Sequence, residues 1–268
     1  MRILLANSIF FRIFVRSNRS FMTLEKEVDI FIPCCIDRLS PETAFNLLGI
    51  FNKLNVRFNY NYNQTCCGQT AFKNGFWDDA KDIGEKFIRD FSNKRFVVCP
   101  SSSCVSYVKN YYGKLFHNTG LHLENNKLQD NIFELTDFLV NMMRVTDIGA
   151  TFNHSVTYHD CCSALREYGI KEEPRILLRH VKGLELIEMN KTEECCGFGG
   201  MFAMTFEPIS VAMTQEKINH ALATGAEYIV STDMTCLANM EAYIKKQELP
   251  IKCIHIIDVL ASGLDVKS

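Results

Sequence analysis

The sequence lacks the signals that mark several common functional classes. Lys and Arg total 29 against 31 for Asp and Glu, and the resulting charge of −2 gives no reason to expect nucleic acid or anionic lipid as a partner. No apolar run approaches the ~18 residues that a membrane span needs. Neither a Gly-x-Gly-x-x-Gly fingerprint nor a phosphate loop follows a strand pattern, so no nucleotide or flavin site is predicted. Hydride chemistry is therefore expected to take place on another protein.

Cysteine is the residue in which the chain is rich. Its 12 cysteines are nevertheless a smaller share than the roughly 8–10% that marks a small disulfide scaffold. Eight of them stand in adjacent pairs: Cys34-Cys35, Cys66-Cys67, Cys161-Cys162 and Cys195-Cys196. Neighbouring cysteines suit a shared metal centre better than a set of long-range crosslinks. The 47% hydrophobic content allows a sizeable core, as one large domain or two modest ones.

The cysteines recur in a tandem pattern. A single cysteine, a Cys-Cys-Gly and a further cysteine stand in the first half, and the same series returns about 130 residues later. Packing cysteines have no reason to recur in this form. We therefore predict eight metal ligands: Cys34, Cys66, Cys67, Cys104, Cys162, Cys195, Cys196 and Cys236. The remaining Cys35, Cys99, Cys161 and Cys253 have no counterpart and are predicted bystanders, with Cys99 the alternative source of a further thiolate because it lies close to Cys104.

Strand-like and helix-like segments alternate along both halves. Strands lead into each cysteine segment, and helices are predicted over 41–54, 77–91, 173–181 and 208–223, with Ser40 as a helix cap. This alternation predicts an α/β protein, a tandem duplication of two similar domains with mainly parallel sheets. Ligands collect beyond the carboxyl ends of parallel strands, and the predicted ligands all follow such ends. The predicted domains are 28–146 and 155–263, joined by a linker over 147–154, with 120–130 as a loop insertion.

Residues 1–27 form an N-terminal extension of a different character. Arg2, Arg12, Arg16 and Arg19 accompany apolar residues, and no acidic residue precedes Glu25. A transit-like presequence and a mistaken start both fit this composition. We favour translation from Met22.

The chemistry of thiolates narrows the choice of metal. Convergent thiolates select zinc, copper(I) or an iron–sulfur centre. The recurring cysteines are not joined by the short Cys-x2–4-Cys loops of structural zinc sites. Adjacent residues cannot easily place both sulfurs on one small tetrahedron, but they can reach different irons of a polynuclear cluster. Gly68 and Gly197 allow the backbone to turn tightly beside such a cluster, and the helices that follow can present amide donors to it.

Three polar residues have structural interpretations, and one of them, His159, has a functional interpretation as well. His159 could ligate or tune a cluster, since imidazole replaces thiolate in some iron–sulfur sites, but a hydrogen-bonded strand-end histidine is the favoured interpretation. Asp137 and Asp258 recur in the closing segments of the two halves, where a helix N-terminal or turn role accounts for them.

The motifs together resemble the cysteine-rich (CCG) domain family. That family includes the cysteine-rich subunit of heterodisulfide reductase, the glycolate oxidase iron–sulfur subunit and the lactate-utilization protein A group, to which this sequence is most similar. The resemblance runs from Val28 to Leu260. Its motifs are Gln64-Thr-Cys-Cys-Gly-Gln, Glu134-Leu-Thr-Asp-Phe-Leu-Val-Asn, His180-Val-Lys-Gly-Leu, Cys195-Cys-Gly-Phe-Gly-Gly and Thr224-Gly-Ala-Glu. The fuller family pattern ends each motif in Cys-x-x-Cys, whereas Ser101 and Asp233 stand at the additional cysteine's position here.

The resemblance implies an iron–sulfur protein with [4Fe–4S] clusters, one per repeat, held by the eight predicted ligands. It implies a non-autonomous electron-transfer subunit of an oxidoreductase that converts L-lactate to pyruvate. The expected partners are a second iron–sulfur protein and a third component. A reducing interior is expected, hence the cytoplasm, with docking at the membrane through partners. Heterodisulfide-reductase-like thiol/disulfide chemistry and a zinc-binding structural module are the alternatives.

Overall fold

The structure of the chain, a computed structural model, describes residues 27–264. The predicted N-terminal extension, with the favoured start at Met22, lies outside these residues except for Glu27. Within the described part of the chain, no helix is both long and apolar enough to cross a lipid bilayer.

The first repeat alternates strands and helices, as the sequence predicts. Its strands are β1 (Val28–Ile30), β2 (Phe58–Tyr60), β3 (Val97–Cys99) and β4 (Ile132–Glu134). Its helices are α1 (Cys34–Leu39), α2 (Pro41–Lys53), α3 (Gln69–Lys73), α4 (Trp77–Phe91), α5 (Ser102–Phe116), α6 (His122–Asn131) and α7 (Leu135–Asp137), which continues as a π-helical turn over Phe138–Met143.

The second repeat follows the same order. Its strands are β5 (Ser155–Tyr158), β6 (Glu185–Leu186), β7 (Tyr228–Ser231) and β8 (Lys252–His255). A π-helical turn over Ser163–Tyr168 follows β5, and the helices are α8 (Glu172–Arg179), α9 (Met201–Thr205), α10 (Glu207–Leu222), α11 (Met234–Lys246) and α12 (Ile256–Ala261).

The strands form two parallel four-stranded sheets, in the orders β2-β1-β3-β4 and β6-β5-β7-β8. The registers correspond, because Asp29 pairs with Val97 in the first sheet and Thr157 pairs with Ile229 in the second. The α/β class and the tandem duplication are thus confirmed. The boundaries 28–146 and 155–263 stay a prediction, and each of these ranges contains one sheet.

Two local predictions need correction. The sequence predicts a loop over residues 120–130, but most of them belong to α6, where Leu128 is fully buried and Gln129 donates to the carbonyls of Val108 and Lys109. A polar sequence folds as a helix here because one apolar side chain and one amide anchor it to α5. Ser40 does stand at the N-cap of α2, yet its hydroxyl bonds the Thr43 hydroxyl at 2.8 Å and caps no backbone amide.

The two repeats pack on each other reciprocally. The closing helix α12 of the second repeat packs on α2 of the first, and α7 of the first repeat packs on α8 of the second. In the same way, α11 lies against α1, and α5 lies against the π-helical turn that follows β5. One hydrophobic core runs through the interface, because Ile30 and Phe51 belong to the same buried cluster as Val156 and Leu260. The interface therefore has approximate twofold symmetry.

Candidate metal centre

The structure brings the four predicted ligands of the first repeat together beyond the carboxyl ends of β1 and β3. The Sγ atoms of Cys34 and Cys66 are 3.7 Å apart, and those of Cys67 and Cys104 are 3.4 Å apart. Cys66 and Cys67 link the two pairs through a sulfur–sulfur interaction of their own. The four sulfurs form a chain that begins at the exposed Cys34 and ends at the buried Cys104.

The second repeat holds an equivalent chain of sulfurs. Cys162 interacts with Cys195, Cys195 with Cys196, and Cys196 with Cys236. Cys161 joins both ends of this chain, because its Sγ lies 3.7 Å from that of Cys236 and it also interacts with Cys162. The sequence predicts Cys161 as a bystander, because Pro33 stands at the equivalent place of the first repeat and conceals its position. The ligand role of the eight predicted cysteines stays a prediction.

The other cysteines differ in how close they come to the sulfur chains. Cys99 is fully buried and interacts with Cys104, so it remains the alternative thiolate of the first repeat. Cys35 lies on α1, where it interacts electrostatically with Cys34 and is itself affected by the charge of Cys66. Cys253 lies on β8, and its backbone amide donates to Glu241.

Each Cys-Cys-Gly forms the same tight turn. Gly68 and Gly197 both have φ of +86°, in the left-handed region that glycine adopts at low cost. Their amides donate to the Sγ of Cys66 and Cys195, at 3.4 Å in both turns. Such amide donors stabilise thiolate charge. The turn therefore presents two adjacent sulfurs and one hydrogen-bond donor toward the same side.

Side chains behind the turn hold it in place. The Tyr112 hydroxyl donates to the carbonyl of Cys67 over 2.7 Å, and Asn239 Nδ2 donates to the carbonyl of Cys196 over 3.0 Å. In the second repeat, the Thr214 hydroxyl also bonds the Cys196 carbonyl. These bonds come from helices that start beside the sheet ends, so the position of each sulfur pair is fixed by the core.

The contacts between sulfurs alter their proton affinity. The Cys34 thiol donates to Cys66, and this bond lowers the pKa of Cys66 to about 2 while it raises the pKa of Cys34 above its ordinary value. In the second repeat, bonds from Cys195 and Cys236 lower the pKa of Cys196 to about 4. One thiolate per chain of sulfurs is thus stabilised by neighbouring thiols. Thiolates are the form that binds metal.

A carboxylate lies between the two sulfur chains. Asp233 Oδ2 accepts from the hydroxyl of Ser101 at 3.2 Å and from the amide of Ser103, next to Cys104, at 3.1 Å. A carboxylate oxygen of Asp233 also lies within 4.8 Å of the sulfurs of Cys161 and Cys236. Ser101 and Asp233, the residues at the position of the family's additional cysteine, therefore connect the two centres.

His159 departs from the favoured interpretation. It follows β5, is fully buried, and neither ring nitrogen has a hydrogen-bond partner in the described part of the chain. The expectation of a hydrogen-bonded strand-end histidine is therefore wrong. One ring nitrogen and the sulfurs of Cys196 and Cys236 all lie within 4.8 Å of one another.

A buried ion pair stands beside the second centre. Both amino groups of Arg175 donate to Asp160, at 2.9 and 2.8 Å, and Arg175 also binds Glu188. The side chains of Arg175 and Asp160 are 5% and 2% exposed. Because Asp160 directly precedes Cys161 and Cys162, this pair fixes the backbone that carries both sulfurs.

Asp137 and Asp258 do lie in the first turns of α7 and α12, as expected, but they also join the repeats. Asp258 accepts from Thr43 and Asn46 of the first repeat, both at 2.9 Å. Asp137 accepts from the hydroxyl of Tyr168 in the second repeat.

Two matched chains of thiols at the carboxyl ends of two fused parallel sheets define a duplicated, cysteine-rich α/β protein with metal-binding chemistry. Comparison with known proteins agrees with this class. The family model described as "CCG: Cysteine-rich domain" matches twice, over residues 28–109 and 156–241. The chain therefore belongs to the CCG cysteine-rich domain family.

Within this family, the chain is similar to the lactate utilization A proteins of several bacteria. Lactate utilization protein A 2 of Bacillus cereus strain AH820 is 37% identical over 240 residues, which cover 89% of this chain and 99% of the relative. Lactate utilization protein A of Geobacillus kaustophilus is 37% identical over 87% of this chain and 98% of its own. Among solved structures, a putative Asp/Glu racemase from Yersinia pestis covers 89% of this chain and 97% of its own at 10% identity, with a TM-score of 0.32, too low a likeness to carry weight.

Proposed function

We propose that each repeat holds one iron–sulfur cluster, of the [4Fe–4S] type, and that the protein transfers electrons within a lactate-oxidising system. The observation that carries the proposal is the pair of matching sulfur chains, each with two adjacent cysteines at its centre. Cys34, Cys66, Cys67 and Cys104 would hold the first cluster, and Cys162, Cys195, Cys196 and Cys236 the second. An iron–sulfur cluster, when bound, supplies one-electron transfer at a potential set by its ligands and surroundings.

The spacing of the sulfurs favours a polynuclear cluster over a single zinc ion. A tetrahedral zinc site requires four donors that are all close to one another. Among residues 27–264, three groups of candidate ligand atoms lie mutually within 4.8 Å, and none of them contains three of the predicted cysteine ligands. Sulfurs in a chain, each close only to its neighbours, match a larger object with several metal corners.

The residues around the sulfurs suit a centre that carries negative charge. The amides of Gly68 and Gly197 donate to cysteine sulfurs, which offsets charge on the thiolates. Burial of Cys67, Cys104, Cys196 and Cys236 excludes water from one side of each centre. The polar contact of Asp233 with Ser101 and Ser103 joins the two repeats beside the two centres.

The substrate class comes from the relatives. Their shared name and nearly full mutual coverage support a role in the use of lactate. The sequence predicts no flavin or nucleotide site, so oxidation of L-lactate to pyruvate would occur on a partner. We propose a second iron–sulfur protein and a third component as those partners, in the reducing cytoplasm and with any membrane association made through them.

Iron and acid-labile sulfide, measured on the full chain purified without oxygen, test this proposal. About eight iron and eight sulfide per chain are expected for two four-iron clusters. About four of each would mean that one repeat is loaded. Zinc without sulfide would overturn the electron-transfer proposal and leave a structural module, whereas thiol–disulfide turnover by the chain alone would assign it heterodisulfide-reductase-like chemistry.

A further inference from the structure

The two centres differ in the pair of side chains behind them. Phe31 of the first repeat and His159 of the second are equivalent, because their backbone amides donate to the equivalent carbonyls of Val98 and Val230. The buried faces of α4 and α10 also correspond, so that Phe87 occupies the position of Lys217. Phe31 and Phe87 pack edge to face, with ring centroids 4.7 Å apart. His159 and Lys217 replace this apolar pair in the second repeat.

Burial of these two polar side chains costs free energy unless new bonds compensate for their lost hydration. His159 is 0% exposed and Lys217 is 1% exposed. Lys217 is satisfied in part, since its Nζ donates to the carbonyls of Lys191 and Thr192, both at 2.8 Å. His159 has no such compensation in the described part of the chain, and an unpartnered buried polar group destabilises the folded state. The first repeat shows that two phenylalanines fit the same backbone, so packing does not require the imidazole.

The position of the imidazole suits it to bind a metal. A neutral imidazole keeps a free lone pair on one ring nitrogen and a proton on the other. The candidate ligand atoms grouped with it in the structure are the sulfurs of Cys196 and Cys236, within 4.8 Å. One ring nitrogen of His159 therefore lies close enough to those sulfurs to share a metal with them.

We propose that His159 is a ligand of the second centre through one ring nitrogen, which makes the two centres chemically different. The inference rests on the proposed function, because it requires a metal–sulfur centre in the second repeat. His159 then takes the place of one of the two neighbouring thiolates, Cys196 or Cys236, and neutral nitrogen in place of thiolate raises the reduction potential of an iron–sulfur centre. The second centre is thus reduced before the first, and electrons that enter through the first repeat come to rest in the second.

The test is pulsed EPR on the reduced full-length protein, with histidine labelled by ¹⁵N, after iron and sulfide content has been measured. Wild type is expected to show a strongly coupled histidine nitrogen. The double variant His159→Phe with Lys217→Phe restores the aromatic pair of the first repeat and is therefore expected to fold. It should lose the nitrogen signal, and the reduction potential of its second centre should shift down toward that of the first.

One control variant and the iron and sulfide measurement make the outcomes separable. His154→Phe removes an exposed histidine that pairs with Glu227, and it should leave the nitrogen signal unchanged. A fully loaded wild-type protein without strongly coupled nitrogen, or a signal that survives in the double variant, would overturn the role of His159 while the cluster proposal stands. Absence of iron and sulfide would overturn the cluster proposal itself.

Discussion

Ser101 donates its hydroxyl hydrogen to Oδ2 of Asp233 over 3.2 Å, and the two residues occupy equivalent positions of the two repeats. The approximate twofold axis must therefore pass between them. Asp233 also accepts from the amides of Ser103 and Thr235 and from the Thr235 hydroxyl, so four donors depend on one buried carboxylate. The residue holds the junction between the centres together.

Replacing Asp233 with Ala should lower the free energy of unfolding by about 1–3 kcal/mol, because buried donors lose their acceptor. Ser101→Ala is the matched variant, since it removes one donor and leaves Asp233 with the others. Its effect is expected to be about 1 kcal/mol or less. Urea titrations of both variants and the wild type measure the difference, and equal losses would argue against this role of the carboxylate.

The cysteine sets can be tested one repeat at a time. Cys195→Ser should remove about four iron per chain and leave the first centre loaded, because the sulfur chains are separate. Cys66→Ser should do the same for the first repeat. Cys253→Ser serves as the control, since its backbone amide on β8 pairs with Glu241 and the variant should retain all iron. Loss of iron in the control, or none in the first two, would contradict the predicted ligand set.

Gly197→Ala should disturb the second centre more than Gly68→Ala disturbs the first. Both positions have φ of +86°, but an added Cβ would lie 2.5 Å from the carbonyl oxygen of Ser210 at Gly197 and 3.3 Å from that of Ala80 at Gly68. Gly75→Ala isolates the conformational cost, because its φ is +84° and its Cβ would meet open space.

We expect a loss of about 1 kcal/mol at Gly75 and a larger loss at Gly197, with reduced iron content only where the turn is displaced. Thermal unfolding and iron content of the three purified variants give the comparison. A ranking in which Gly75→Ala is the most damaging would refute the steric argument.

Arg175→Met should destabilise the protein by about 3–5 kcal/mol, because it leaves the carboxylate of Asp160 buried without its partner. Arg179→Met, on the same helix α8, breaks only the exposed pair with Glu172 and should cost less than about 1 kcal/mol. The double variant Asp160→Asn with Arg175→Met should recover part of the loss. If thermal midpoints of the two single variants coincide, the buried pair has no special role.

Glu134 should make stability depend on pH. Burial raises the pKa of its carboxyl to about 8 from 4.5, although bonds from Thr136 and the amide of Asp137 act in the opposite direction. The folded protein thus keeps a proton that the unfolded chain releases between pH 4.5 and 8. Over this range stability falls as the pH rises, by at most about 1.4 kcal/mol per pH unit.

The variant Glu134→Gln removes this titration. Its stability relative to the wild type should therefore increase from pH 5 to pH 8, as measured by urea unfolding at intervals of pH. A difference that stays constant over the range would show that Glu134 is not protonated in the folded protein.

The sequence predicts this fold well because its signals are local and appear twice. Helix α4 begins and ends at the predicted residues, and the cysteine segments lie at the strand ends where the alternating pattern places them. The errors arise where a distant partner decides the structure. Residues 120–130 are polar, and contacts with distant elements, such as those of Gln129 with α5, hold them as a helix.

In the candidate site, too, the sequence predicts what repeats locally and misses what depends on distant contacts. Repeat alignment identifies the eight cysteines that converge, but it gives Cys161 and His159 no counterpart with the same chemistry. Cys161 approaches Cys236 from another part of the chain. Within the described residues, only the three-dimensional structure shows that the ring nitrogens of His159 have no hydrogen-bond partner. A comparison of equivalent positions, Phe31 with His159 and Phe87 with Lys217, is the sequence signal that could have revealed the asymmetry.

The reciprocal packing of the repeats also bears on how such a chain can arise. Each closing helix covers the first long helix of the opposite repeat, and α2, α7, α8 and α12 meet as two copies of one surface would meet in an isologous dimer. A single-repeat ancestor that paired with itself would bury the same faces, and fusion of its genes would preserve them. After fusion the two halves can also differ in sequence, because a substitution then alters one half alone. An ancestral homodimer could never have placed a phenylalanine behind one centre and a histidine behind the other.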